Sequence, residues 1–335
     1  MLPLHKMVMF FQSVAEDWTS PIADAIASRW AEAVGKKTCV RASANYVFHV
    51  DGGEQGYILR FNHASERSVA WIQSELAFLA YLHERGIHVN QAYPSRNGKL
   101  VESVPTEQGL FHAVLLEMLP GEHQNPEEMD APALRRWGRA LGQLHRASEG
   151  YAGEDRPGWR QLFSTARLSV PRNDAALQDA VARLEERLNS LPADPVHFGV
   201  IHYDFESDNI RWDAGSPGIM DLDDSCRAWY GADIAYALRD LAPDPYGAPD
   251  RKDERFLAFL CGYRSVRSIA DGELDNLSLY MNLHQLLSYA RLQHTLAGDV
   301  SPDEPQWALD LRAKLAPRVE ELKDRLRSFQ AFDGV

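Results

Sequence analysis

Apolar positions recur along this chain at two different spacings, and the change of spacing divides it into two textures. Ser20-Pro21 reads as a cap followed by a first helical position. Ile22, Ile26 and Trp30 follow at helical spacing, and Gly35 ends a leading helix over about 20–35. From Cys39 to Val50 the period drops to two, with Tyr46, Phe48 and Val50 on one side. Asp51-Gly52-Gly53 is a turn region, and 57–61 returns as a strand. A second helix opens at Ser65-Glu66, carries Ile72, Leu76, Leu79 and Leu82 as its stripe, and stops at Gly86. Asn97-Gly98 signals a hairpin between Tyr93 and Leu100-Val101. The segment 111–118 reads as a buried strand closed by Leu119-Pro120-Gly121.

Beyond Gly121 the pattern is mostly helical. Leu134, Trp137, Leu141 and Leu144 share one face of a helix over 130–147, and 176–188 is a second amphipathic stretch. A β-rich insert over 196–222 interrupts, and helices resume over 255–266, 274–296 and 307–329. The predicted class is α+β: an antiparallel sheet with an inserted helix in 1–119, then a mostly helical part in 120–335, with the hinge near 117–122.

Composition narrows the functional classes. With 45% hydrophobic residues the chain has enough material to offset its ordering entropy, which excludes disorder as the dominant state. Asp and Glu (48) outnumber Lys and Arg (35), a net charge of −13 that repels phosphate backbones and argues against a nucleic-acid partner. The same charge suits Mg²⁺ and cationic small molecules. Cys39, Cys226 and Cys261 are far apart, with no C-x-x-C spacing, so neither a disulfide framework nor a zinc site is indicated. The apolar run at 7–11 is too short for a signal-peptide core, and no run of 18 apolar residues exists to span a membrane. A cytoplasmic protein without a membrane partner is the expectation.

One segment carries chemistry. His202-Tyr203-Asp204 is followed five positions after the Asp by Asn209, and 219–223 reads as a strand that delivers Asp221 at its end. An Asp that orients a hydroxyl, with an amide oxygen and a second carboxylate for Mg²⁺, is a phosphoryl-transfer arrangement. Either motif alone reads as readily as a β-hairpin with surface acids; the two in order, with a short turn at 213–217, favour the catalytic reading. A metal hydrolase built on His202-x-Asp204 lacks further His ligands at suitable spacing. Glu75 lies on the apolar stripe of the second helix. A carboxylate there needs a partner, for which Arg60 is the natural one, or else sits solvated at the stripe's edge.

These motifs, with Asp221-Leu222-Asp223-Asp224 and Gly231-Ala232-Asp233-Ile234-Ala235, resemble the aminoglycoside phosphotransferase/choline kinase-like family, whose members share the bilobal fold of protein kinases. The resemblance covers nearly the whole chain and is specific to the superfamily, not to a substrate. It implies ATP and Mg²⁺ as cofactors, with Asp204 as the catalytic residue and Asn209 and Asp221 as metal ligands. It implies that Arg60, paired to Glu75, reaches the nucleotide phosphates, that Ser43 and Asn45 lie in the phosphate loop, and that Glu117 to Leu119 form the adenine hinge. His202, Asp223 and Asp233 are supporting residues in this reading. Metal and triphosphate are expected in a crevice between the lobes.

Two departures stand out. The loop 41–46 has no glycine, and Tyr203 stands where relatives commonly carry Gly in H-G-D. Trp229 and Tyr230 are equally readable as walls of the acceptor pocket or as core anchors, and His145 as a helix-packing residue. The implied activity is transfer of the γ-phosphoryl group to a hydroxyl of a small molecule, of the aminoglycoside, amino alcohol or sugar type. The alternatives are a Ser/Thr protein kinase of the bacterial stress-response type and a nucleotide-binding regulator without catalysis.

Overall fold

Strand alternation in the first third of the chain buries one continuous set of aromatic rings. The computed structural model describes residues 1–53, 56–153, 155–298 and 303–329. The packing of these described residues resolves into two compact units, one drawn from 1–77, 90–118 and 291–320, the other from 78–89, 119–290 and 321–329.

The first unit opens with α1 (Leu4–Phe11) and α2 (Pro21–Ala27). The sheet follows as β1 (Lys37–Arg41), β2 (Tyr46–Val50), β3 (Tyr57–His63), then, after α3 (Val69–Glu84), β4 (Ala92–Tyr93), β5 (Glu102–Thr106) and β6 (Gly109–Glu117). All pairings are antiparallel, in the order β1-β2-β3-β6-β4, with β5 also on β6. Tyr46, Phe48 and Val50 of β2 and Leu59 and Phe61 of β3 face the same core, as period-two alternation requires. Phe10 of α1 inserts there, its ring 4.1 Å from Tyr46 and 5.7 Å from Phe61. The 7–11 run is thus the buried stripe of a short helix, whose Leu4, Met7 and Phe10 have no water contact to speak of.

Several expectations shift here. The leading helix ends at Ala27, and Trp30 lies beyond it, buried with its indole N–H on Tyr93 O at 2.9 Å. Gly98 does sit at φ +73° in a turn, but β4 and β5 do not pair with one another. Tyr93 pairs with Leu115 and Glu102 with Ala113, so each takes a different stretch of the same edge of β6. A turn motif reports local backbone geometry, while the strand partner is chosen by which edge is open. Helix residues near the end of the chain also pack with the sheet: Ala308 is in its core and Trp307 meets Phe11 edge-on at 5.3 Å. A cut at 119 therefore leaves out one segment of this unit.

The second unit carries α4 (Ala131–Ser148), α5 (Trp159–Arg167), α6 (Ala175–Asn189), β7 (Phe198–Ile201), β8 (Ile210–Asp213), β9 (Ser216–Ile219) and β10 (Cys226–Trp229). The helices α7 (Tyr230–Ala237), α8 (Glu254–Arg264), α9 (Asp271–Leu274), α10 (Leu277–Leu296) and α11 (Gln306–Arg327) complete the chain. Asp130 and Asp174 cap α4 and α6, accepting from Ala133 N and Leu177 N. Helix α4 crosses α8 at backbone distance: a Cβ on Gly138 would lie 1.9 Å from Phe259 O, and one on Gly262 1.9 Å from Arg135 O. Only glycine permits that approach. The fold is protein-kinase-like, an antiparallel sheet followed by a helical region.

Candidate active site

Strand pairing, more than any single contact, assembles the site. Ile201 at the end of β7 pairs with Cys226 at the start of β10, and Ile210 at the start of β8 pairs with Ile219 at the end of β9. Loops 202–209 and 220–225 are therefore pinned to each other at both ends. Cross-links tighten them further: Met220 N–H donates to Asn209 O at 3.0 Å, and His202 Nε2–H donates to Met220 O at 3.0 Å.

Asp204 is half-buried between donors. Asn209 Nδ2 reaches its main-chain oxygen at 2.8 Å and its Oδ2 at 3.2 Å. Because that amide nitrogen faces two acceptors, Oδ1 is the atom Asn209 has left to offer a cation. Arg239, from the turn after α7, donates to Asp204 Oδ1 at 2.6 Å and also bridges to Glu206. Asp221 adopts φ +60° and Tyr203 φ +76°, left-handed conformations that cost a non-glycine residue about 1–2 kcal/mol. Strain at two points of the motif marks backbone shaped for something other than stability.

The strain at Tyr203 is opposed by one carboxylate. Asp233 of α7 accepts from Tyr203 N at 2.8 Å through Oδ1 and from His202 N at 2.8 Å through Oδ2. Its Oδ2 also accepts from His145 Nε2 at 2.9 Å, with both side chains fully buried. Burial pushes the His145 imidazole down from its usual value, so the ring is neutral. Nε2 must then carry the proton, and Nδ1 accepts from the Tyr263 hydroxyl at 2.9 Å. The Tyr263 oxygen in turn accepts from Arg267 at 3.0 Å, and Arg267 is ion-paired to Glu149 at 2.9 Å. His145 thus does more than pack: it hands a directed hydrogen-bond chain to the residue that braces the loop.

The Tyr203 ring is buried, edge-on to Tyr236 at 5.3 Å and 6.0 Å from His284, so its bulk lies in the core and not beside the Asp204 carboxylate. Loop 220–225 has a comparable brace. Buried Arg156 donates to Asp223 O and Ser225 O, both at 2.6 Å. Asp223 is itself buried and Asp224 partly exposed. Trp229 and Tyr230 are core anchors: Trp229 stacks on Tyr280 at 5.7 Å, and Tyr230 lies under the Arg267 guanidinium at 4.0 Å.

In the sheet-bearing unit, alternation turns Arg60 to the face opposite Leu59 and Phe61. Its guanidinium forms a two-pronged pair with Glu75, Nη1 to Oε1 at 2.8 Å and Nη2 to Oε2 at 2.5 Å. Both side chains are under 5% exposed. Asn45 is buried and accepts from Asn62 Nδ2, while Ser43 is partly exposed and its carbonyl accepts from Leu2 N at 2.7 Å. Glu117 N–H donates to Gln91 O at 2.8 Å. Leu119 is buried within the second unit.

A divalent cation fits the donors present. Asp204, Asn209 and Asp221 offer hard oxygen and no sulfur or imidazole, the set that Mg²⁺ or Ca²⁺ prefers and zinc does not. Among the described residues no group of three or more His, Cys, Asp or Glu side chains forms a ready cage.

Residues 40–271 match the family model described as "Phosphotransferase enzyme family". The chain belongs to that family. It is a phosphotransferase, and the motif from His202 to Asp233 lies inside the matched region. It is similar to the amicoumacin kinase of Bacillus subtilis (strain 168), 28% identical over 258 residues, spanning 74% of this chain and 77% of that one. Among solved structures it resembles an amicoumacin kinase in complex with AMP-PNP, Ca²⁺ and Ami, with a TM-score of 0.73, 22% identity and coverage of 92% and 95%. A microcompartment-associated aminopropanol kinase follows at a TM-score of 0.65, 22% identity and coverage of 91% and 98%. The former of these neighbours has thus been solved with a nucleotide analogue and a divalent cation. No helix among the described residues of this phosphotransferase is long and apolar enough to cross a membrane.

Proposed function

We propose that this phosphotransferase transfers the γ-phosphoryl group of ATP, with Mg²⁺, to a hydroxyl of a small amino alcohol or amine-bearing antibiotic. The observation that carries the proposal is the pinned pair of loops, in which Asn209 and Arg239 fix both carboxylate oxygens of Asp204. A carboxylate so held has a lone pair left to accept the proton of an acceptor hydroxyl and turn its oxygen toward phosphorus. Asn209 and Asp221 would hold the cation, and Mg²⁺ when bound supplies charge neutralisation on the phosphates. Asp233 and His202 keep the loop in its strained shape, and Asp223 lies in the second loop. Arg60, pre-set by Glu75, presents a guanidinium that always carries its charge to the nucleotide phosphates. Ser43 and Asn45 shape the phosphate loop, and Glu117 and Leu119 supply main-chain groups for the base.

The acceptor class is supported by the acidic surface, net −13, and by relatives whose names include amicoumacin kinase and aminopropanol kinase. A cytoplasmic site of action is part of the same reading. The test follows ADP release with Mg–ATP over a panel of amino alcohols, aminoglycosides, amicoumacin, simple sugars and casein. Turnover with an amine-bearing alcohol is expected. Asp204→Ala should abolish it while binding of Mg–AMP-PNP survives. Turnover on casein alone, or binding without product on any acceptor, overturns the proposal.

A further inference from the structure

Arg239 comes from outside the motif yet meets it at its reacting group. It lies in the turn Arg239–Leu241 that follows α7, its side chain 14% exposed. One nitrogen, Nη2, serves both Asp204 Oδ1 and Glu206 Oε1. Nη1 donates to Tyr236 O at 3.3 Å, which ties the guanidinium to the end of α7. Two carboxylates two positions apart on one loop, each partly shielded from water, repel one another, and without a cation between them Asp204 would swing away. With the cation there, Arg239 holds Oδ1 and Asn209 holds Oδ2, and the carboxylate has one orientation.

We propose that Arg239 is a positioning residue for phosphoryl transfer, clamped by Glu206, that sets the orientation of Asp204. The inference rests on Asp204 having the role given above. Arginine suits the task because its charge does not vary with pH and its planar fork anchors Nη1 on Tyr236 O while Nη2 faces both carboxylates. Lysine would offer the same charge as a single point. Since catalysis in phosphoryl transfer is mostly positioning, a displacement of about 1 Å at Asp204 is worth on the order of 100-fold in rate.

The experiment measures ADP release from Mg–ATP, with water alone and with the acceptor panel, and binding of Mg–AMP-PNP by calorimetry. Arg239→Ala should lower kcat about 100-fold, with KM for ATP and the calorimetric Kd within about twofold of wild type. Arg239→Lys should recover at least about a tenth of the wild-type rate. Glu206→Gln should cost about tenfold, and Arg239→Ala/Glu206→Gln should be no worse than Arg239→Ala, since the pair acts as a unit. An Arg239→Ala protein with unchanged or raised kcat overturns the inference, the latter by making Arg239 an obstruction. So does a loss of rate matched by loss of nucleotide binding, which marks a general structural defect. Asp204→Ala separates the two levels. If it remains active, or if wild type consumes no ATP at all, the functional reading itself fails; if it is inactive while Arg239→Ala is normal, only this inference fails.

Discussion

Replacing Asp233 by Asn removes one charge and one acceptor atom from the buried carboxylate that braces the loop. The native oxygens accept three hydrogen bonds, from Tyr203 N, His202 N and His145 Nε2, at 2.8, 2.8 and 2.9 Å, with no exposure to water. Asn has one oxygen. Its cheaper orientation keeps that oxygen on His202 and His145 and turns its NH₂ toward the Tyr203 N–H, donor against donor. A buried donor left without a partner costs about 1–3 kcal/mol, and the two surviving bonds weaken because their acceptor is no longer charged. The lost bond is also the one that opposes the φ +76° strain of Tyr203, so residue 203 is free to relax and take Asp204 with it. The expected loss is about 2–4 kcal/mol of stability, a fall in melting temperature of roughly 3–6 °C. Turnover should fall about 100-fold while Mg–AMP-PNP affinity changes little. Differential scanning fluorimetry and ADP-release kinetics on the same preparation read both. A variant that melts early but turns over normally would refute the argument that Asp233 shapes the loop, and one unchanged in both would refute the structural assignment.

Other outcomes follow from single groups. Glu75→Ala leaves the Arg60 guanidinium buried without its two-pronged partner and should cost about 3–5 kcal/mol in urea denaturation, whereas Arg60→Met/Glu75→Leu should recover most of that; a loss under about 1 kcal/mol for the single change rules out the buried pair. His145 is held below its usual 6.5 by burial. The unfolded chain therefore binds a proton that the native ring refuses, and stability declines as pH falls from 6.5 toward the lowered native value, by up to about 1.4 kcal/mol per pH unit. His145→Gln should show a shallower decline between about pH 7 and 5, and an identical slope refutes the neutral assignment. In the β8–β9 hairpin, Ala214 at φ +47° precedes Gly215 at φ +84°, a two-residue turn that favours Asn first. Ala214→Asn should raise stability by roughly 0.5–1 kcal/mol without touching turnover, and a lower melting temperature counts against it.

What was legible in the chain was whatever is written locally. The alternation of Tyr46, Phe48 and Val50, the stripe of α4 and the Pro-Gly stop near 120 each depend on neighbours within a few residues. The spacing of Asp204 and Asn209 is local for the same reason: five positions are the length of one loop whose amide can turn back on its own carboxylate. The stripe position of Glu75 left pairing with Arg60 and solvation both open, and the family resemblance favoured the pair that the structure forms. Short elements such as α1 and α5, of 8 and 9 residues, span too few turns for their periodicity to stand out.

The tertiary structure alone decided everything that depends on which distant segments meet. No pattern in the sequence says that β4 and β5 divide one edge of β6, because any open edge with the right length accepts a strand. Nor does one say that Arg239, 35 positions from Asp204, or Arg156, 67 positions from Asp223, would close on those loops. Arginine is common on surfaces, and only burial against unsatisfied carboxylates and carbonyls distinguishes these two. His145 makes the same point: a histidine on a helix face is unremarkable until packing removes its water, neutralises it and points its one proton at Asp233. Local order specifies which groups the chain possesses; long-range pairing and desolvation specify what those groups become.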